Sequence, residues 1–195
     1  MHNFLITGMG RSGTRFLAET MNLSKKWTVM HEPGGPGDLR RPSEEIQKRL
    51  DRDYYGEVNS LLRFVSDELK VEKRGLILRS PVDLWFSITT WHARQKHRWP
   101  GDLADMKRTI PHLLDLALSG HYRPIFFESM ISSDFYLQNI LADFGIDDVE
   151  ITPEILKKKI NQNLPGVRRT AWKDFNVETR LEIQRLAGMY ATRLE

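Results

Sequence analysis

The chain has 195 residues, a length that suits one domain with its own hydrophobic core, and we expect residues 1–195 to form a single domain. It contains no cysteine, which excludes disulfides, a thiol nucleophile and thiolate metal sites and is compatible with the cytoplasm, where we expect the protein. The formal net charge of +3, from 29 Lys and Arg against 26 Asp and Glu, fits an anionic ligand and falls short of what nucleic-acid binding requires. We expect no secretory signal and no membrane span, since no apolar stretch approaches about 18 residues.

Short apolar runs alternate with helical patterns along the chain. Residues 4–6, 76–78 and 125–127 each have the length of a buried strand, and each precedes a helical pattern. A weaker strand is predicted at residues 27–30, after the first helix. Strands that alternate with helices predict an α/β fold with three layers, in which helices cover both faces of a parallel sheet.

Apolar residues at helical spacing predict the helices between these strands. One such set is Val58, Leu61, Leu62, Val65 and Leu69, and another is Leu137, Ile140, Leu141 and Phe144, with Gly145 as the expected C-cap. Residues 103–118 are expected to form two helical pieces separated at Pro111, because proline lacks the N–H that a helix interior requires. Residues 176–194 are predicted to form the last helix, with Leu181, Leu186, Ala187 and Tyr190 facing inward. We expect loops at residues 32–42 and 95–102.

A glycine-rich turn lies between the first strand and the first helix and reads Gly8-Met9-Gly10-Arg11-Ser12-Gly13-Thr14-Arg15. Glycine allows positive φ and close approach of a ligand to the main chain, and the N–H groups at a helix N-terminus attract anions. The spacing is that of a Walker A loop, but Thr14-Arg15 stands where Lys-Ser/Thr normally follows the last glycine. Arg11 instead supplies a guanidinium that can contact two oxygens of a phosphate or sulfate. The alternative is an ordinary strand–helix turn with a solvated arginine.

A second candidate anion site follows the predicted strand 76–78. Arg79 stands at the carboxyl end of that strand, the side where open α/β sheets bind ligands. The next residues predict a helix start, with Ser80 as N-cap, Pro81 in the first turn and Asp83 closing a capping box. Ser87 lies two turns into this helix, where its hydroxyl can join Arg79 in binding a phosphate. Alternatively, Arg79 pairs with a surface carboxylate and Ser87 simply packs.

Together these segments resemble the sulfotransferases that depend on 3′-phosphoadenosine-5′-phosphosulfate (PAPS). The family's 5′-phosphosulfate loop reads like R/K-S-G-T-T after the first strand, which is similar to residues 11–15 apart from Arg15 in place of the second threonine. Its 3′-phosphate element, often R-x-P with a serine eight residues after the arginine, is similar to Arg79, Pro81 and Ser87. Two weaker similarities are an aromatic residue and glutamate after a strand, Phe127-Glu128, and a basic loop before the last helix, Arg168-Arg169, which departs from the usual R-K-G.

The resemblance implies a P-loop nucleotide-hydrolase-like sulfotransferase fold and in-line transfer of a sulfuryl group from PAPS to an acceptor hydroxyl, leaving PAP, with no metal required. The residues implied to bind PAPS are Gly10, Arg11, Ser12, Gly13, Thr14, Arg15, Arg79, Ser87, Phe127, Arg168 and Arg169. The glycine loop would hold the 5′-phosphosulfate, with Arg11 stabilising charge on the bridging oxygen. Arg79 and Ser87 would hold the 3′-phosphate, Arg168 or Arg169 would close over it, and Phe127 would lie beside the adenine.

An acceptor hydroxyl also needs a general base, and the candidates are Glu32 and its neighbour His31, just after the weak strand 27–30. Branches of the family use a glutamate or a histidine at about this position, so the resemblance leaves both open. The acceptor is expected to be a carbohydrate or a small-molecule alcohol. The basic, aromatic stretch at residues 91–99 could line its cleft or form a solvated helix end.

Two other functions are compatible with parts of the pattern. A P-loop kinase of small molecules would share the strand, loop and helix but would need a loop lysine and carboxylate-bound Mg²⁺, and it would leave Arg79 and Ser87 unexplained. A module that binds PAP without turnover would keep the binding residues and transfer nothing.

Overall fold

The computed structural model describes residues 2–95, 102–157 and 171–194. Five strands form one sheet: β1 (Asn3–Gly8), β2 (Thr28–His31), β3 (Tyr55–Val58), β4 (Lys73–Leu78) and β5 (Arg123–Phe126). Their order is β2-β3-β1-β4-β5, and every neighbouring pair is parallel. The four strands predicted from apolar runs are therefore confirmed, and β3 is an addition to them.

The helices are α1 (Thr14–Met21), α2 (Ser43–Leu50), α3 (Pro81–Gln95), α4 (Asp102–Leu118), α5 (Phe127–Ser132), α6 (Asp134–Asp143), α7 (Pro153–Lys157) and α8 (Val177–Leu194). Short 3₁₀ segments lie at Gly35–Arg40, Ser60–Leu62 and Trp172–Asp174. Within the described ranges, no helix combines the length and apolarity needed to cross a membrane.

Successive strand residues pack into different cores, because side chains alternate between the two faces of a sheet. Phe4 and Ile6 of β1 pack with α1 and α6 on one face, whereas Leu5 packs with α2 on the other. On β4, Ile77 joins the first core, and Leu76 packs with α3, α4 and α8. Helices thus cover both faces, which confirms the predicted three-layer α/β architecture and explains why these strands read as continuous apolar runs.

The helix predicted from Val58 to Leu69 is wrong. Val58 ends β3, and residues 63–68 form turns after the 3₁₀ segment. Strand β3 pairs with both β1 and β2, and this tertiary pairing outweighs the helical spacing of the apolar residues. Leu62 and Leu69 are nevertheless buried, in the core beneath α2.

Pro111 does not divide the predicted helix, because α4 runs through it without a break. The loss of one backbone N–H is offset there by burial of neighbouring side chains such as Ile110 and Leu114 in the core shared with α8. In α8 itself, Leu181 is 61% exposed, whereas Ile183 and Leu186 are buried. At about 100° per residue, Leu181 lies about 160° around the helix from Ile183, so the two cannot share a face.

The remaining element boundaries differ from the predicted ones by small amounts. The expected loop at residues 32–42 contains the 3₁₀ segment Gly35–Arg40, and Phe127 begins α5 instead of ending β5. Gly145 has a φ of 77° just after α6, as expected of a helix-terminating glycine. Most of the loop predicted at residues 95–102 lies outside the described residues.

Candidate active site

The candidate residues meet at the carboxyl edge of the sheet, because all five strands are parallel. Gly8 ends β1, Glu32 follows β2, Ser60 lies just beyond β3, Arg79 follows β4 and Phe127 follows β5. The chain leaves β1 toward β2 on one side and later crosses from β3 to β4 on the other. The edge above β1 is thus the topological switch point, where open α/β sheets bind their ligands.

The glycine loop adopts a compact, partly left-handed conformation. Arg11 has a φ of 72° and Gly13 a φ of 91°, and the Ser12 N–H donates to the Met9 carbonyl at 3.1 Å. A Cβ on Gly13 would lie 2.6 Å from the ring of Phe127, so only glycine fits there. Gly13 thus has the positive φ expected of glycine in this loop, and the packing of Phe127 against its backbone also excludes a side chain.

Arg79 lies directly against the glycine loop. Its Nη1 donates to the Arg11 carbonyl at 2.6 Å, and its guanidinium carbon lies 4.1 Å from the centre of the Phe127 ring. Burial lowers the pKa of Arg79, and the nearby carboxylates of Glu128 and Asp83 act in the opposite direction. The structure thus brings three predicted site residues into contact, with Arg79 in the middle.

Ser12 Oγ and Arg79 Nε are buried without a hydrogen-bond partner among the described residues. Ser12 is 1% exposed. Both side chains line a small cavity whose remaining walls are mostly apolar and include Met9, Leu84 and Tyr190. A buried polar atom without a partner costs about 1–3 kcal/mol, so such atoms are typical of sites that bind a polar ligand.

The start of α3 differs in one detail from the prediction. Ser80 is the N-cap, since its carbonyl accepts from the Leu84 N–H at 2.9 Å. The Ser80 N–H donates to Glu128 Oε1 at 3.2 Å, whereas in the predicted capping box the Asp83 side chain accepts from this N–H. Glu128 therefore links the end of β5 to the helix that carries Ser87.

Other predicted residues lie apart from this contact. Ser87 is half-buried in α3, and no hydrogen bond joins it to Arg79. Arg15 is exposed on α1, where its Nε donates to Glu19 Oε1 at 2.9 Å. Arg168 and Arg169 lie outside the described residues, as do the side chains of the basic, aromatic stretch at 91–99.

The candidate bases lie on the β2 side of the glycine loop. His31 Nε2 is 3.2 Å from Thr14 Oγ1, and Glu32 Oε1 is 3.8 Å from the same nitrogen. The Ser60 hydroxyl donates to Glu32 Oε1. Burial lowers the pKa of His31, with Glu32 opposing this and Arg15 adding to it, so the imidazole is neutral at neutral pH.

This geometry differs from that of a nucleophilic triad. In a triad the hydroxyl and the carboxylate contact different nitrogens of the imidazole, so that one proton can be relayed. Here Thr14 and Glu32 both approach Nε2 of His31. Across the described part of the chain, no three His, Asp or Glu side chains are grouped as metal ligands would be.

Sequence reasoning missed Asn59 and Ser60 because it missed β3. It also missed the buried ion network beneath them, in which Arg49 donates to both Asp38 and Glu57. Burial raises the pKa of Asp38, but hydrogen bonds from Arg49 and Asn59 outweigh this, so the net shift is downward. Polar residues such as Glu57 interrupt the apolar pattern that would otherwise reveal the strand.

Comparison with solved structures gives a sulfotransferase from Alicyclobacillus acidocaldarius, with a TM-score of 0.59 and 17% sequence identity over 100% of this chain and 94% of that chain. No protein-family model matches the sequence, and no curated protein matches it. The likeness shows the fold, a parallel sheet between two helical layers, which this chain shares with that protein.

Proposed function

We propose that the protein is a PAPS-dependent sulfotransferase acting on an acceptor hydroxyl of a carbohydrate or small-molecule alcohol. The observation that carries this proposal is the direct contact between the two candidate anion sites, in which Arg79 Nη1 lies 2.6 Å from the Arg11 carbonyl. One ligand with two anionic groups can therefore touch both. The likeness to a sulfotransferase of the same fold agrees with it.

In this proposal the glycine loop binds the 5′-phosphosulfate. The N–H groups at the start of α1 and the Arg11 guanidinium stabilise the charge that grows on the bridging oxygen. The buried Ser12 hydroxyl supplies a further donor. The neutral His31 next to Thr14 Oγ1 fixes that hydroxyl at the edge of the loop.

Arg79 and Ser87 bind the 3′-phosphate in this proposal, with Arg168 or Arg169 closing over it. Phe127 contacts the adenine with the part of its ring that Arg79 leaves uncovered.

Glu32 is the proposed base, because His31 already contacts Thr14 through Nε2. Glu32 takes the proton of the acceptor hydroxyl as its oxygen bonds to sulfur and the bond from sulfur to the 5′-phosphate oxygen breaks. PAP then leaves with the electron pair of that bond. Arg15, paired with Glu19, contributes positive charge near the loop without a direct contact.

Ligand-dependent melting tests the donor. PAP at about 100 times its Kd should raise Tm by roughly 5–10 °C without Mg²⁺, since this excess adds about 2.7 kcal/mol of stability. ATP with Mg²⁺ should give little or no shift. The reverse pattern would overturn the proposal and favour a kinase.

An acceptor screen with ³⁵S-labelled PAPS tests the reaction. We expect label to move to at least one hydroxyl compound with wild-type protein and to none with Glu32→Gln. PAP binding without transfer to any acceptor would contradict the enzymatic part of the proposal and leave a PAP-binding module.

A further inference from the structure

Glu32 has a backbone conformation that requires support from its surroundings. Its φ is 46°, in the left-handed region, which costs a residue with a side chain roughly 1–2 kcal/mol. Its carbonyl accepts from the Gly35 N–H at 2.9 Å, which turns the chain into the 3₁₀ segment Gly35–Arg40. Strained residues of this kind persist where neighbouring groups hold them, often at functional sites.

Ser60 is the group that holds the Glu32 side chain. It is 3% exposed, and its hydroxyl donates to Glu32 Oε1. A Cβ on Gly10 would lie 3.9 Å from Ser60 Oγ, so the Ser60–Glu32 pair lies beside the glycine loop. A hydrogen bond to a carboxylate is charge-assisted and fixes the direction in which the carboxylate points.

Asn59 fixes the position of Ser60. Its N–H donates to the Ile6 carbonyl at 2.8 Å, and Thr7 Oγ1 donates to the Asn59 carbonyl at 3.0 Å, which ties this corner to β1. Its side chain donates to Asp38 Oδ2 at 3.0 Å. Asp38 belongs to the 3₁₀ segment that follows Glu32, so residues 59 and 60 together hold both ends of the Glu32 turn.

We propose that Ser60 is a positioning residue that aims the Glu32 carboxylate at the glycine loop, an inference that rests on the proposed function. Ser60 occupies Oε1 and thereby leaves Oε2 to accept the proton of the acceptor. His31 Nε2 lies 3.8 Å from Oε1 of the same carboxylate. The corner at the end of β3 thus connects the base to the strand that carries the glycine loop.

Carboxyl ¹³C NMR of glutamate-labelled protein tests this contact without PAPS or acceptor, with the Glu32 signal assigned from Glu32→Gln. At a fixed neutral pH, Ser60→Ala should change the chemical shift of the Glu32 side-chain carboxyl carbon, because the carboxylate loses its donor. Ser60→Thr, which keeps the hydroxyl, should restore it. Ser43→Ala is the matched control, since it removes a Ser–Glu hydrogen bond of 2.7 Å to Glu68 at an exposed position.

Transfer kinetics give the second readout. Ser60→Ala should lower kcat about 10- to 100-fold with KM for PAPS unchanged, and Ser60→Thr should restore kcat, whereas Ser43→Ala should match wild type. An unchanged Glu32 carboxyl signal in Ser60→Ala would overturn the inference whatever the kinetics show. A changed Glu32 signal in a protein whose Glu32→Gln variant transfers normally would instead overturn Glu32 as the base. Ser60→Cys, a weaker donor of similar size, replaces Ser60→Ala if that variant does not fold.

Discussion

The guanidinium of Arg79 joins three parts of the candidate site. It donates to the carbonyl of Arg11 in the glycine loop, stacks on the ring of Phe127 and follows the last residue of β4. Its Nε is buried without a partner in the described structure. A bidentate anion contact at this point uses the planar fork that lysine lacks.

Substitution of Arg79 should therefore weaken PAP binding, by an amount that depends on the replacement. Arg79→Lys keeps the charge and loses the fork, and we expect Kd to rise about 10-fold; Arg79→Ala should raise it about 100-fold, equivalent to a charged hydrogen bond of about 1.5–3 kcal/mol. Isothermal titration calorimetry measures both. The control is Arg123→Ala, because Arg123 pairs with Asp143 at the opposite end of the sheet. Unchanged PAP affinity in Arg79→Ala would contradict its role.

Gly13 combines a positive φ with close packing, so its substitution should have two costs. Gly13→Ala brings a Cβ to 2.6 Å from Phe127 as well as imposing backbone strain, and we expect Tm to fall by roughly 5–10 °C. Gly120→Ala is the matched control: Gly120 has a φ of 76°, and a Cβ there meets nothing within 4 Å. Differential scanning calorimetry should give a fall of roughly 2–4 °C for the control. Equal falls in Tm for the two substitutions would rule out a contribution from the contact with Phe127.

His31 should make the protein less stable in mild acid. Burial lowers its pKa, so below about pH 6.5 the unfolded chain binds a proton that the folded chain does not. The group has no effect on the free energy of unfolding above that pH, and stability decreases as the pH falls toward the folded-state pKa. Urea midpoints between pH 7.5 and 5.5 should decline less in His31→Gln than in wild type, whereas His121→Gln, at an exposed turn, should follow wild type. Parallel curves for His31→Gln and wild type would contradict this account.

At the scale of elements, the strands that sequence analysis found are those with apolar side chains on both faces. The central strands β1 and β4 have uninterrupted runs such as Phe4, Leu5 and Ile6, all fully buried. Strand β3 was missed because Gly56 and Glu57 interrupt its pattern. Glu57 is also fully buried, and its carboxylate accepts from Arg49 of α2 and from Tyr55 on the same face of β3.

Whether a site residue could be predicted likewise depended on whether the strand before it was predicted. Arg79 and Glu32 follow predicted strands, and a polar residue at the carboxyl end of a parallel strand is a strong sign of a site. Ser60 follows the strand that was missed, so its contact with Glu32 could not be inferred. The roles of Ser87, Arg168 and Arg169 come from family resemblance, and they stay predictions.

The ion network beneath β3 should matter for stability. Arg49→Met leaves the buried carboxylates of Asp38 and Glu57 without their guanidinium, which typically costs about 3–5 kcal/mol and should lower Tm by roughly 10 °C. Arg185→Met, which removes an exposed ion pair with Glu182 on α8, should change Tm by no more than about 2 °C. Thermal denaturation followed by circular dichroism measures both. Similar Tm values for the two variants would show that the network does not stabilise β3.

At the scale of the whole molecule, the sheet divides the proposed reaction between two halves. The glycine loop, Arg79 and Phe127 follow β1, β4 and β5, and they form the proposed nucleotide half. His31, Glu32 and Ser60 belong to β2 and the ends of β2 and β3, and they form the proposed acceptor half. The two halves meet above β1, where the sulfur of the donor would lie.

A crystal structure with bound PAP tests this division most directly. The account predicts one PAP molecule with its 5′-phosphate on the N–H groups of residues 10–14 and its 3′-phosphate on Arg79. A PAP molecule bound elsewhere, or one that contacts the glycine loop while its 3′-phosphate lies away from Arg79, would contradict it.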